Sequence, residues 1–201
     1  MNRLFYRVIT GLFFLACNCF SFAQETQMPR YQDGEWWKLK VEVVRQQAVS
    51  RSGACHEQYS DYLVKIEGTR PVVYGISGNT EAKIDCPQVT SELLDTPSEW
   101  EYLKFPLAAG KSWSTRVFFK AAAVGQGRWF NYSSKVLSFD NVKSEKGEVQ
   151  AFKIERVEQN VTETYFYLPQ AKAVMLFDRK LADPTGGTAS RKVTLIDFNV
   201  R

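Results

Sequence analysis

Apolar and polar residues alternate with a period of two along most of this chain. Trp37, Leu39, Val41 and Val43 alternate with Lys38, Lys40 and Glu42. Successive side chains of a β-strand point to opposite faces, so this pattern predicts a strand with one buried and one wetted side. The same reading applies to residues 62–67, 71–76, 113–119, 129–139, 149–157, 161–168, 173–179 and 192–200. Val, Tyr, Phe, Thr and Trp, which suit a pleated surface, are frequent in them. Between them lie clusters with turn chemistry: Ser77-Gly78-Asn79, Ser144-Glu145-Lys146-Gly147 and Asp183-Pro184-Thr185-Gly186-Gly187. Short strands with regular turns predict an all-β fold, either an antiparallel β-sandwich or a curled half-barrel.

One stretch carries a helical signal. Thr96-Pro97-Ser98-Glu99 combines an N-cap Thr, Pro at the first helical position and Glu three residues after the cap. It predicts a short helix over 98–103, a connector between two β halves at 31–89 and 105–201, with 90–104 as linker. The halves share a pattern: Gly34-x-x-Trp37-x-x-x-Val41 recurs as Gly110-x-x-Trp113-x-x-x-Val117. Val64-Lys65-Ile66-Glu67 has a parallel in Phe152-Lys153-Ile154-Glu155. Gly makes the turn, Trp closes the end of the core and Val continues the inward face. Trp37 and Trp113 are thus expected to be equivalent core plugs.

The N-terminus changes the picture more than the rest of the composition does. Arg3 and Arg7 precede an apolar run from Val8 to Phe20, and Ser21-Phe22-Ala23 places small residues at the −3 and −1 positions of a cleavage site. That order is the signature of a secretory signal peptide over 1–23. Removing 23 of the 201 residues leaves 178, enough for a single all-β domain over 24–201. The alternative is a lipoprotein, because Phe14-Leu15-Ala16-Cys17 resembles a lipobox. An acylated Cys17 would hold the domain on a membrane surface, and only in that case is a membrane partner expected.

Processing after Ala23 leaves two cysteines, Cys55 and Cys86. In an oxidising compartment they are expected to form a disulfide that stabilises the fold by roughly 3–4 kcal/mol. A metal site on Cys55, Cys86 and the sole histidine, His56, lacks CxxC or HxxxH spacing, so no metal and no cofactor is expected. Two of the 26 basic residues lie in the signal segment, so 24 basic face 22 acidic residues in the remainder. Without a basic stripe, nucleic acid is not an expected partner.

Phe105-Pro106-Leu107 followed by Gly110-Lys111-Ser112-Trp113 resembles a strand opener of exported bacterial β-proteins of unknown function. The run Tyr165-Phe166-Tyr167, Pro169 and a returning strand from Val174 is similar to theirs. The resemblance covers 31–41 and, in patches, 105–177. It implies a curled antiparallel sheet in the cell envelope and no assigned active site.

No motif commits the chain to a reaction. Gly110-Lys111-Ser112 lacks the preceding Gly of a P-loop, where Phe105 stands, and a strand follows it. Gly75-Ile76-Ser77-Gly78 is one residue short of a nucleophile elbow. A Ser–Lys dyad depends on spatial pairing that sequence does not give. Asp61, Glu99, Glu101, Glu163 and Asp178 are candidates for a glycosidase pair, but their alternation with apolar residues reads as a solvated strand face. Trp36, opposite in parity to Trp37, is a candidate ligand or partner contact on the wet face. Phe118, in the Phe118–Phe119 pair, is the second such candidate. The expected function is binding or assembly in the envelope, with an apolar small molecule or an envelope protein as partner. A carbohydrate-active or other hydrolytic enzyme is the alternative.

Overall fold

In a computed structural model of the chain, the structure describes residues 25–46, 55, 58–94, 101–120, 127–144, 147–159, 161–182 and 188–201. The signal-peptide and lipobox readings, His56, Glu99 and residues 98–100 lie outside them.

The alternating segments become ten strands of one antiparallel sheet. In chain order these are β1 (Trp36–Gln46), β2 (Asp61–Glu67), β3 (Arg70–Ser77), β4 (Thr80–Ile84), then β5 (Ser112–Lys120) and β6 (Gly127–Ser144). β7 (Gly147–Glu158), β8 (Val161–Leu168), β9 (Ala173–Ala182) and β10 (Thr188–Asn199) complete it. The sheet order is β4-β3-β2-β1-β10-β9-β8-β7-β6-β5. Two meanders therefore join where β1 pairs with β10, and β4 and β5 form the two margins. The sheet is curled and open, as one of the two sequence alternatives had it. Bulges between Lys38 and Leu39, Val136 and Ser138, and Phe166 and Tyr167 add local bend.

The one α-helix among the described residues is α1, Pro87–Leu94, not 98–103. Residues 101–104 have no helical structure, and Glu101 has φ of 37°. The capping pattern at 96–99 lies outside the described residues; of the expected helix, 101–103 is described and is not helical. The true helix starts at a Pro that tolerates the first helical position. It was hidden because Thr90, Ser91 and Glu92 are buried along with Val89, Leu93 and Leu94, which erases the amphipathic stripe. Thr90 and Ser91 hydroxyls donate to the Pro87 and Gln88 carbonyls. The Cys55–Cys86 disulfide, with a Cα–Cα distance of 5.5 Å, ties the start of α1 to the segment before β2.

The Gly-x-x-Trp repeat has a geometric counterpart. The Glu35 N–H donates to Gln32 O, and the Lys111 N–H to Ala108 O, so each Gly closes a turn. Gly34 has φ of 81° and Gly110 of 85°, a region that glycine enters without steric cost. The Gly34 N–H donates to Ile66 O while the Ile66 N–H donates to Glu35 O; Gly110, Val136 and Lys111 repeat this arrangement. Both are G1-type bulges that aim the Trp three residues after the Gly, Trp37 or Trp113, inward. The second sequence parallel does not follow. Residue 66 in β2 is matched by residue 136 in β6, whereas Phe152–Glu155 lies in β7.

Two apolar clusters fill the inside of the curl. One gathers Trp37, Leu39, Tyr62, Val64 and the α1 leucines. The other gathers Val136, Phe152, Ile154, Tyr165 and Phe177 under Tyr102 and Leu107.

Candidate functional site

The pairing registers place residues of neighbouring strands in rows across the inner face. One row runs Val136, Ile154, Tyr165, Phe177, Val193, Val41 and is apolar throughout. The next, two residues along each strand, runs Trp113, Ser134, Arg156, Glu163, Arg179, Arg191. A charged layer thus lies directly against the apolar core.

Its charges are bonded to one another. Glu163, fully buried, takes Arg156 at 3.5 Å, Arg179 at 3.5 Å and the Tyr165 hydroxyl. The Arg156 guanidinium lies between the Tyr132 ring at 3.7 Å and the Tyr102 ring at 4.7 Å, a cation–π arrangement in a desolvated place. Arg191 bonds Glu92 of α1 and rests on the Phe177 ring at 5.0 Å. Burial pushes the Glu92 carboxyl up, against the pull of Arg191. Burial also pushes the Tyr102 and Tyr165 hydroxyls well above the usual phenol range, with Glu92 and Glu163 reinforcing it at Tyr102 and Glu163 at Tyr165.

Glu163 is therefore not on a solvated face, as its alternation suggested. β7 carries charge on both faces, whereas the one charged residue of β8 is Glu163 itself; inward parity is set by Phe152, Ile154 and Tyr165. Arg156 shares that parity in the sequence, which is the signal that could have found the layer. The other described acidic candidates, Asp61, Glu101 and Asp178, do not join Glu163 as a catalytic pair. Asp61 accepts from Ser60, Glu101 accepts from Thr115 at 3.1 Å, and Asp178 pairs with Lys180 at 3.8 Å. The carboxylates that meet the charged layer, Glu163 and Glu92, are each held by guanidinium.

The outer face presents a different chemistry near the β5 margin. Phe118 is 44% exposed and Trp129 52%. They are cross-strand partners with ring centroids 5.1 Å apart. Arg116 lies over the Trp129 ring at 4.4 Å. The Phe118 ring also covers Gly127, where a Cβ would fall 2.2 Å from its Cζ. Phe118 is thus an exposed aromatic, and Trp129, which the sequence did not single out, stands beside it. Further along the same face come Ser114 opposite Ser133 and Ser112 opposite Lys135, an open serine–lysine grouping rather than an enclosed dyad. Trp36 lies on the outer face far from this patch, half-buried between Lys65 and Asn199.

The β5 strand has no partner on its outer side among the described residues. The bulge bonds of Gly110 and Lys111 fix which groups face β6, and antiparallel alternation carries this along the strand. Trp113, Thr115 and Val117 direct their backbone groups to β6. Ser112, Ser114, Arg116 and Phe118 direct theirs to the free margin. The opposite margin, β4, is five residues long and carries Glu81 and Lys83, features that discourage further pairing.

An open hollow of about 440 Å³ lies beside β3, β4 and the start of α1, between Val72, Lys83, Ile84 and Pro87. A crevice of about 50 Å³ between Leu168, Met175, Leu195 and Phe198 has room for a few water-sized groups, not an acyl chain. Gly75, of the shortened elbow motif, is covered by the Tyr59 ring. Among the described residues no group of three His, Cys, Asp or Glu could hold a metal ion, and no helix is long and apolar enough to cross a membrane.

No family model matches the chain, and no curated protein sequence matches it. Among solved structures it is similar to the hypothetical lipoprotein YmcC from Escherichia coli (K12). That likeness covers 85% of this chain and 90% of that one, with 10% identity and a TM-score of 0.28. A likeness at that score says nothing of what this chain does.

Proposed function

We propose that this chain is an exported cell-envelope protein that acts by binding another protein, with the β5 margin as its docking element. The N-terminal sequence pattern supports export. The observation that carries the binding reading is the outer side of β5, unpaired among the described residues. It is nine residues long and sits beside an exposed shelf of Phe118, Trp129 and Arg116. An extended partner segment adding to such a margin gains backbone hydrogen bonds, and the shelf supplies side-chain selectivity. Arg116, stacked on Trp129, offers fixed donors to a carboxylate of that segment.

A photo-crosslinking residue at Trp129, introduced in the native host, tests this. A discrete protein adduct is expected. The adduct should vanish with Ser114→Pro, because proline removes one outward N–H while leaving the bonds to β6 intact. No adduct, or one indifferent to Ser114→Pro, would overturn the reading. A glycan adduct would replace the partner class.

A further inference from the structure

The stretch that supplies β5 and the first half of β6 holds no acidic residue. Between Glu101 and Asp140 the chain has Lys104, Lys111, Arg116, Lys120, Arg128 and Lys135 and no carboxylate, although 22 acidic residues face 26 basic ones over its whole length. The imbalance gives this margin a positive field. The β4 margin has none, because Glu81 and Glu67 there pair with Lys65 and Lys83. Arg116 shows the difference most directly. Its cross-strand neighbour is Asn131, its guanidinium rests on the Trp129 ring, and it makes no ion pair with a described residue. Beside it the outer face sinks. Ser114, Ser133 and Val157 form one cross-strand row, and Ser112, Lys135 and Glu155 form the next. Together they line an open hollow of about 440 Å³. Two serines in succession leave two strand spacings of low ground, roughly 10 Å from the margin inward, with Val157 as an apolar wall.

We propose that the protein segment added at β5 carries a set order of side chains: an apolar one opposite Phe118, a carboxylate opposite Arg116 and an aromatic ring opposite Ser114. This rests on the docking of an extended segment at β5 and names its chemistry. Ser114, Arg116 and Phe118 direct their backbone groups outward. A strand paired with them places its opposing side chains on the same outer face, at every second residue. In the antiparallel sense of the rest of the sheet, the partner reads apolar, acidic, aromatic at alternate positions. The carboxylate accepts from a guanidinium already held over Trp129. The ring lies over Ser114 and Ser133 toward Val157, where larger side chains in place of the serines would exclude it. A second copy of β5 does not fit, since that strand has no acidic residue to offer Arg116.

The test is a fluorescence-anisotropy titration of the full chain against a labelled synthetic peptide in which Val, Glu and Tyr, in that order, alternate with Thr. Exchanging the peptide's Glu for Gln should weaken binding about tenfold, the usual loss for a hydrogen bond to a charged group, and exchanging it for Lys should abolish binding. Arg116→Glu should reverse the order of the Glu and Lys peptides. Exchanging the peptide's Tyr for Ala should also weaken binding about tenfold. Ser133→Leu, which fills the hollow from an exposed position, should erase that difference while still binding the Ala peptide. Ser114→Pro should remove all binding. The proposal fails if the Glu and Lys peptides bind alike, if the preference for Glu survives Arg116→Glu, or if Ser133→Leu leaves the preference for Tyr. Peptides that bind without preference, yet lose binding with Ser114→Pro, would overturn the assigned order and leave strand docking standing. If no peptide binds, the assignment falls, and the crosslink at Trp129 decides separately whether a protein docks. Binding to vesicles of phosphatidylglycerol that displaces the peptide and ignores Ser114→Pro would make the surface a lipid contact and overturn both.

Discussion

The lead-ins to β1 and β5 share a turn, a bulge and an inward tryptophan, yet they serve different ends. Trp37 is fully buried, donates from Nε1 to Ala171 O at 2.7 Å and meets the Tyr31 ring edge-on at 5.7 Å. Trp113 has the same local approach, but its strand has a neighbour on one side only and its Nε1 finds no partner among the described residues. A short sequence pattern fixes backbone geometry over five or six residues. What the side chain then meets is decided by sheet order, which no local pattern encodes. The expectation that the two tryptophans are equivalent plugs therefore holds for their direction and not for their surroundings.

The largest expected effect separates these surroundings. Trp37→Ala should cost about 3–5 kcal/mol, as for a buried large aromatic. Trp113→Ala should cost less by about 1–3 kcal/mol, the combined worth of a hydrogen bond and an aromatic contact that only Trp37 makes. Urea melts of both variants measure the gap directly. Equal losses would mean that the two positions are equally embedded, against the sheet order.

The residue after each glycine sharpens the contrast. Glu35 is buried and accepts from Lys172 Nζ at 2.6 Å, the Arg201 N–H at 2.8 Å and the Gln32 N–H at 2.9 Å. It ties the start of β1 to the β8–β9 turn and to the chain end. Lys111, its counterpart, reaches the Lys104 and Pro106 carbonyls from the surface. Glu35→Gln should cost about 1–3 kcal/mol and Lys111→Gln under about 1 kcal/mol. Burial pushes the Glu35 carboxyl up, but the hydrogen bonds from Arg201, Lys172 and Gln32 outweigh it and hold it below the ordinary range. Its contribution is then fully present above the unfolded carboxylate range, near about 4.3, and is lost as pH falls through the lower folded value. Melts taken from about pH 7 down to about pH 3 should show an acid loss of stability that Glu35→Gln blunts. An unchanged acid limb would remove Glu35 from that role.

The glycines themselves should behave alike. Nothing lies within 4 Å of a Cβ built on Gly34 or on Gly110, so the cost of Ala is backbone strain alone, about 1–2 kcal/mol at each. Similar values from thermal melts would support one shared local device. A large inequality would mean that one of the two turns is held by contacts beyond it.

What the sequence made legible follows the same division. Strand parity and the turn glycines are written in neighbouring residues, and the pleat enforces them; the Cys55–Cys86 disulfide was legible from the cysteine count and the oxidising compartment instead. β4 was missed because its alternation is only two apolar residues long, Ala82 and Ile84 against Glu81 and Lys83; it is held by its pairing with β3. α1 was missed because polar side chains are buried on it, and its Glu92 becomes intelligible only when Arg191, ninety-nine residues away, stands opposite. The charged row leaves one trace, the inward parity that Arg156 shares with Ile154. Arg156, Glu163 and Arg179 look like ordinary strand polarity until the register sets them side by side on the inner face.

The smallest expected effect concerns the outward position of each lead-in, Trp36 in one and Ser112 in the other. Trp36 is half-buried, flanked on both sides by Lys65 and Asn199, while Ser112 is flanked by Lys135 alone. Trp36→Ala removes an aromatic from the face opposite Trp37, so it should change stability by under about 1 kcal/mol, as surface substitutions do. Ser112→Ala should change it by less. A loss at Trp36 larger than that of Gly34→Ala would mean that something covers this part of the outer face. The tryptophan would then be a seat and not a solvent-facing ring. A parallel melt at reduced protein concentration decides what covers it: a concentration-dependent loss points to a second copy of the chain, and a concentration-independent one to the chain's own segments.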